Sequence, residues 1–225
     1  TLFSARLTDL FKTTDTAIAI APKSKKGTPT ISSEKKDSTN RYFEAFRNVR
    51  IFTDSLQAMS DSLFYSFRDS TFRLFQKPVV WSKRSQVTGD TIYLFTKNKK
   101  ADRIQVFENS FLINEIDSGI YNQVKATRMD GFLKDGSMDS VRARGSSHSV
   151  YFIRNEDSAY SGINEATSDI MDVLFKKGDV ARVIFRRNVK GTVWPLSQKT
   201  PDSMKLENFQ WLEARRPKTK YELFE

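Results

Sequence analysis

Apolar and polar residues alternate in short runs along this chain, and helical periodicity is weak throughout. A period of two marks a half-buried strand, whose successive side chains point to opposite faces. In Asn48-Val49-Arg50-Ile51-Phe52, Val49 and Ile51 share one face and Arg50 takes the other; Phe72-Arg73-Leu74 and Ile104-Gln105-Val106 do the same. Turn formers separate the runs at close intervals: Asp54-Ser55, Asp69-Ser70, Thr88-Gly89-Asp90 and Lys97-Asn98-Lys99-Lys100. Many short strands with no helix between them predict an all-β architecture.

One segment breaks the pattern. Residues 22–40, PKSKKGTPTISSEKKDSTN, carry almost no large apolar side chain and cannot bury enough surface to offset the entropy of ordering them, so a flexible Lys/Ser/Thr-rich loop is expected there. Its lysines suit an arm for an anionic ligand, but a solvated insertion is the simpler reading. Before it, Leu2-Phe3-Ser4-Ala5-Arg6-Leu7 and Ala17-Ile18-Ala19-Ile20 read as strands of the same β system over 1–21, cut off at the front. The main β domain is expected over 41–217 and a tail over 218–225. The first residue is Thr with no charged-then-apolar leader behind it, which reads as a processed or trimmed chain.

Within the main domain a degenerate repeat is visible. Gln57 and Asp61 are followed 29 residues later by Gln86 and Asp90 (57 to 86, 61 to 90), each pair leading into a hydrophobic–aromatic strand, Leu63-Phe64-Tyr65 and Ile92-Tyr93-Leu94. A looser third copy passes through Gln123-Val124 and a fourth through Thr167-Ser168-Asp169-Ile170. Units of about three strands are too small to bury a face alone; stacked, they share one apolar interior. An Asp beside a hydroxyl suits a calcium site or acid–base work, yet a catalytic group is needed once and a turn in every unit. The recurrence therefore favours Asp and Ser/Thr as caps of local backbone.

Composition narrows the chemistry. The 225 residues contain no Cys and a single His, which excludes disulfides, thiolate metal sites and multi-histidine centres. No metal and no cofactor is expected. No apolar run reaches the roughly 18 residues of a membrane-spanning helix. Gly-rich phosphate loops, dinucleotide fingerprints and Gly-x-Ser-x-Gly are absent. His148 sits in a polar Arg144–Ser149 stretch, and the carboxylates Glu156-Asp157 and Asp169/Asp172 show no sign of converging. No catalytic residue is assigned and no enzyme is expected. Thirty-seven Lys+Arg against 27 Asp+Glu give a net charge of +10, which points toward an anionic partner. Aromatic residues alternate with basic ones at Arg41-Tyr42-Phe43, Phe67-Arg68 and Phe72-Arg73, a pattern that suits single-stranded nucleic acid but arises equally in a strand with one buried and one charged face. With no RRM, KH or zinc-finger signature, nucleic-acid binding ranks third and no nucleic-acid partner is expected.

The motif Asn48-Val49-Arg50-Ile51-Phe52-Thr53-Asp54-Ser55-Leu56-Gln57-Ala58 with Asp61-Ser62-Leu63-Phe64-Tyr65, followed by Gln86-Val87-Thr88-Gly89-Asp90-Thr91-Ile92 and the closing Gly191-Thr192-Val193-Trp194-Pro195, resembles the OstA-like family of periplasmic lipopolysaccharide-transport proteins, in particular its large Bacteroidetes-type members. The similarity covers about 41–217; the Lys-rich insertion and uneven later repeats depart from a compact LptA-type pattern. The resemblance implies a β-jellyroll in the form of a β-taco, stacked antiparallel strand repeats folded into a V that holds acyl chains.

Such a sheet would be lined by Val49, Ile51, Leu63, Phe72, Leu74, Val79, Trp81, Val87, Ile92, Leu94, Ile104, Val106, Phe111 and Ile113, with Arg47, Arg50, Arg73 and Arg103 on the rim to meet phosphates and acids of a glycolipid head. The expected function is a non-enzymatic periplasmic carrier or bridge, associated with the outer membrane, that shields the acyl chains of lipopolysaccharide or a related glycolipid. Its expected partners are other β-jellyroll proteins of that system, joined by edge-strand pairing, or further copies of itself. The same apolar set would equally fill the closed core of a scaffold domain for outer-membrane assembly, which is the alternative.

Overall fold

The computed structural model describes residues 41–155, 157 and 159–223. The expected N-terminal strands (1–21) and Lys-rich loop (22–40) lie outside the described residues. The rest is all-β: β1 Tyr42–Phe52, β2 Gln57–Ser66, β3 Thr71–Phe75, β4 Val79–Ser82, β5 Ser85–Thr88, β6 Thr91–Lys97, β7 Lys100–Asp117, β8 Ile120–Lys134, β9 Ser137–Arg154, β10 Tyr160–Lys176, β11 Asp179–Arg186 and β12 Lys190–Trp194. All twelve belong to one antiparallel sheet. Three single 3-10 turns, Asp202–Met204, Glu213–Arg215 and Tyr221–Leu223, follow the last strand.

The strands are longer than the spacing of turn formers predicts. β7 and β9 run for 18 residues and β10 for 17. The long strands pass through bulges where the register shifts: Phe46/Val49 on β1, Phe107/Ser110 on β7, Lys125/Arg128 on β8 and Ser168/Ile170 on β10, the last two opposite residues 144–148 of β9. Bulges bend strands, so a line of them across the sheet makes a crease. Consecutive left-handed residues supply the bend, within strands at Arg47-Asn48, Glu108-Asn109 and Gly145-Ser146, and between strands at Gln76-Lys77 (β3 to β4) and Arg187-Asn188 (β11 to β12). The aspartates of the sequence pattern stand opposite these pairs. The backbone N–H of Asp90 donates to the carbonyls of Phe107 and Glu108, that of Asp169 to Arg187 and that of Asp61 to Gln76. Asn109 and Asn188 donate from their side-chain amides to Asp90 and Asp169 at 2.9 and 2.8 Å. The Asp-hydroxyl motif therefore builds a crease; Asp61 and Asp169 lie inside strands, not in hairpin turns.

The crease divides the sheet into two wings and gives the β-jellyroll its taco form. Wing one contains the first half of β1, the second half of β2, then β3, β6, the first half of β7 and onward to β11. Wing two contains the second half of β1, the first half of β2, then β4, β5, the second half of β7 and onward to β12. Thus β2 and β7 are bridged twice, by β3–β6 on one wing and β4–β5 on the other.

Cross-strand partners form continuous rows on the inner face. One row on wing one reads Phe43, Tyr65, Phe72, Leu94, Ile104, Gly131, Val141, Val173, Val183; the next reads Ala45, Leu63, Leu74, Ile92, Val106, Met129, Ala143, Met171, Phe185. On wing two the facing row is Ile51, Ala58, Val80, Val87, Leu112, Val124, Ser149, Ala166, Gly191. These three rows contain no charged residue. Inner residues of both wings pack into a single core cluster.

Candidate functional site

The apolar interior between the wings is the candidate site. Ten of the fourteen expected lining residues lie in it, all buried: Val49, Ile51, Leu63, Phe72, Leu74, Val87, Ile92, Leu94, Ile104 and Val106. The structure places the other four on the opposite face of wing two. Val79 and Trp81 pack with Met59 and Leu212, and Phe111 and Ile113 pack with Ile116, Val150, Phe152, Ile163, Met204 and Leu206. Their neighbours Val80 and Leu112 point inward instead, as alternation requires. Val124, Met129, Val141, Met171 and Val173 also line the interior. Unbroken parity was the available signal: carried from Ile104 and Val106 through the crease, it reaches Leu112 and passes over Phe111.

The interior is tightly filled. A Cβ on Gly131, in the middle of an inner row, would stand 2.6 Å from Ile104 Cγ2. At the mouth, the hairpin tips of wing one reach the ends of wing two. Ser82 Oγ donates to the Gly136 carbonyl at 2.9 Å, and Asn114 Nδ2 donates to Ser85 Oγ at 3.1 Å and to the Gly178 carbonyl at 3.2 Å. Gly136 has φ +74, and its α-carbon hydrogen faces Ser55 so closely that a Cβ there would meet Ser55 Oγ at 2.1 Å.

The outer face of wing two is covered by the chain's own C-terminal segment, which runs back across the strands as a strap. Gln57, Gln86 and Gln123 fall in one outer row, alternating with Trp81 and Ile113. Gln123 accepts from the Leu206 N–H at 2.9 Å and donates to the Met204 carbonyl at 3.4 Å. Gln86 accepts from the Leu212 N–H and donates to the Gln210 carbonyl, both at 2.7 Å. Each amide thus binds residues i and i+2 of the strap as a neighbouring β-strand would. Gln57 accepts from Arg216 Nε at 2.8 Å, and Arg216 also donates to the Lys83 carbonyl. Phe209 and Trp211 of the strap pack their rings at a tilt against Tyr121. Burial of Tyr121 there, with the Glu115 charge nearby, raises its phenol above the usual value.

The four expected rim arginines occupy outer positions. Arg47 sits in the crease at φ 68. Arg50 donates to the Glu222 carbonyl. Arg73 pairs with Asp69 at 2.8 Å and lies over the Phe64 and Tyr93 rings, while Arg103 lies 4.1 Å over Phe95. His148 Nε2 is 3.1 Å from Glu165 Oε1, whose other oxygen accepts from Trp194 Nε1 at 3.2 Å. Asp172 is bound by Arg142 and Arg186, and these guanidiniums, Arg142 foremost, hold its carboxyl below the usual value against the effect of burial. Asp169 is tied into the crease, and Glu156 lies outside the described residues. Among the described residues no group of His, Asp and Glu is placed to hold a metal ion, and no helix is long and apolar enough to cross a membrane. What the interior offers is apolar surface without charge.

A creased antiparallel sheet with an uncharged interior defines the chain as an all-β jellyroll. No protein-family model matches it, and no curated protein does. Among solved structures it is similar to LptH from Pseudomonas aeruginosa, described as the LptA-homologous periplasmic component of the conserved lipopolysaccharide transport device, at 10% identity and a TM-score of 0.48, over 62% of this chain and 95% of that one.

Proposed function

We propose that the chain is a non-enzymatic lipid carrier or bridge component whose interior shields acyl chains of a lipopolysaccharide-type glycolipid in the periplasm, next to the outer membrane. The observation that supports this reading is the inner face itself: three rows, each crossing the sheet from β1 to β11 or β12, hold only apolar or small uncharged side chains apart from the Tyr65 hydroxyl. Burial at about 25 cal/mol per Å² holds a chain there, and similar rungs keep that energy nearly level along the path, so movement needs no bond chemistry. In the closed form the side chains of the wings fill the space between them. Carriage therefore requires the wings to part at the Ser82–Gly136 and Asn114–Gly178 contacts. Among the described residues the sheet ends on β1 at one side and on β11 and β12 at the other, and such edge strands suit end-to-end pairing with related sheets or further copies.

A second reading rests on the same tightness: a filled core needs no ligand, and the domain would then serve as a scaffold. A fluorescent acyl-chain probe separates the two. The carrier reading expects the probe to bind and lipopolysaccharide to displace it. No uptake, or no displacement at saturating lipopolysaccharide, overturns it in favour of the scaffold.

A further inference from the structure

The two wings differ on their outer side. On wing two the strap covers the sheet. On wing one, three outer rows stand between the crease and the hairpin tips, running from Glu44 to Ile184, from Phe46 to Arg186 and from Tyr42 to Arg182. They carry seven arginines, three carboxylates and no lysine, an excess of four positive charges, or three once Asp69, which pairs with Arg73 at 2.8 Å from the adjoining turn, is counted.

The guanidiniums are held in place by two devices. Arg73, Arg103 and Arg128 lie over ring faces, at 5.3 Å from Phe64, 4.1 Å from Phe95 and 4.8 Å from Phe107. Arg142 and Arg186 share Asp172, and Arg128 and Arg144 share Asp130, which also accepts from Gln105 at 2.9 Å. Both aspartates are buried at the level of the sheet, while Arg142, Arg144 and Arg186 remain about half exposed. Two cations on each anion leave a net charge above it, and side chains already fixed lose little freedom when they meet an anion. At the margin of this layer three rings stand out into solvent: Tyr42 at 60%, Phe46 at 67% and Phe132 at 50% exposure. Between Phe46, Phe64, Arg73 and Tyr93 is an open hollow of about 330 Å³, with Glu44 at its wall.

Ordered guanidiniums beside protruding aromatic rings match a bilayer interface, where rings settle at headgroup depth and arginines meet phosphates. We propose that the outer face of wing one docks on an anionic lipid surface. This is separate from carriage inside the fold: the interior takes acyl chains, and the outer face takes headgroups.

Co-sedimentation of the full 225-residue chain with vesicles tests it. Binding is expected to phosphatidylcholine vesicles containing phosphatidylglycerol, not to phosphatidylcholine alone, and to fade at about 1 M salt. The pair Arg103→Glu/Arg182→Glu should weaken it at least about tenfold, at roughly 1 kcal/mol per basic side chain near the surface. Phe46→Ser/Phe132→Ser should weaken it with charge unchanged, and Lys190→Glu/Lys199→Glu, outside these rows, should leave it intact. Circular dichroism confirms that each variant retains its strands. Three results overturn the proposal: equal partition onto neutral vesicles, an equal loss in the Lys190/Lys199 pair, or aromatic variants without effect while polyglutamate binds as strongly as the vesicles. The last of these would point to an acidic protein instead.

Discussion

At the scale of single residues, the sheet depends on side chains that hold backbone in uncommon shapes or hold charge at its surface. The left-handed pairs at the crease cost about 1–2 kcal/mol per non-glycine residue, offset by the opposing aspartates and the packing of both wings. Asp172 shows the electrostatic side. Arg142 and Arg186 keep its carboxyl ionised below the ordinary value of 3.8, so its contribution to stability is complete above that value and is lost as pH falls through the lowered one. Asp172→Asn is therefore expected to lower the urea midpoint at neutral pH and to flatten its decline in acid; an unchanged acid limb would show that the pair does not act this way. Residue identity also explains what alternation revealed and what it concealed. Phe72 with Leu74, Ile92 with Leu94 and Ile104 with Val106 have polar or half-exposed residues between them, so their shared face is legible. Val79, Val80 and Trp81 are all buried, on two faces, and carry no alternation to read.

At the scale of elements, two features were hidden for physical reasons. Arg47-Asn48 and Glu108-Asn109 have the composition of turns, but the flanking pairings continue across them, so what looks like two short strands is one bent one. The strap was hidden because its docking depends on distant glutamines and not on a local period. Gln57 and Gln86 were visible as a spacing, and the structure supplies their role as rungs for the returning chain. Gln86→Ala removes both bonds of one rung and leaves the Leu212 N–H and Gln210 carbonyl without these partners, at a cost of about 1–3 kcal/mol. Hydrogen exchange is expected to rise at residues 204–216 first, with protection in β8 and β9 retained. Loss of protection across the whole sheet at once would show that strap and sheet open as one unit.

For the whole molecule, a few contacts at the mouth add to the shared core in holding the wings together. Gly136→Ala places a methyl against Ser55 at a backbone angle that favours glycine. It is expected to destabilise the fold by about 1–3 kcal/mol and to loosen the closure. Adding Ser55→Gly removes the clash but not the backbone cost, so the double variant should recover part of the loss in a denaturant titration; full additivity would mean that the two residues do not meet. The crease also has a mechanical consequence. Along the rows, neighbouring strands are joined by backbone hydrogen bonds on both wings, whereas across them each long strand runs on covalently and bends at its bulge. The crease is therefore the line about which the two wings would swing, as a book keeps the length of its spine while its covers open about it.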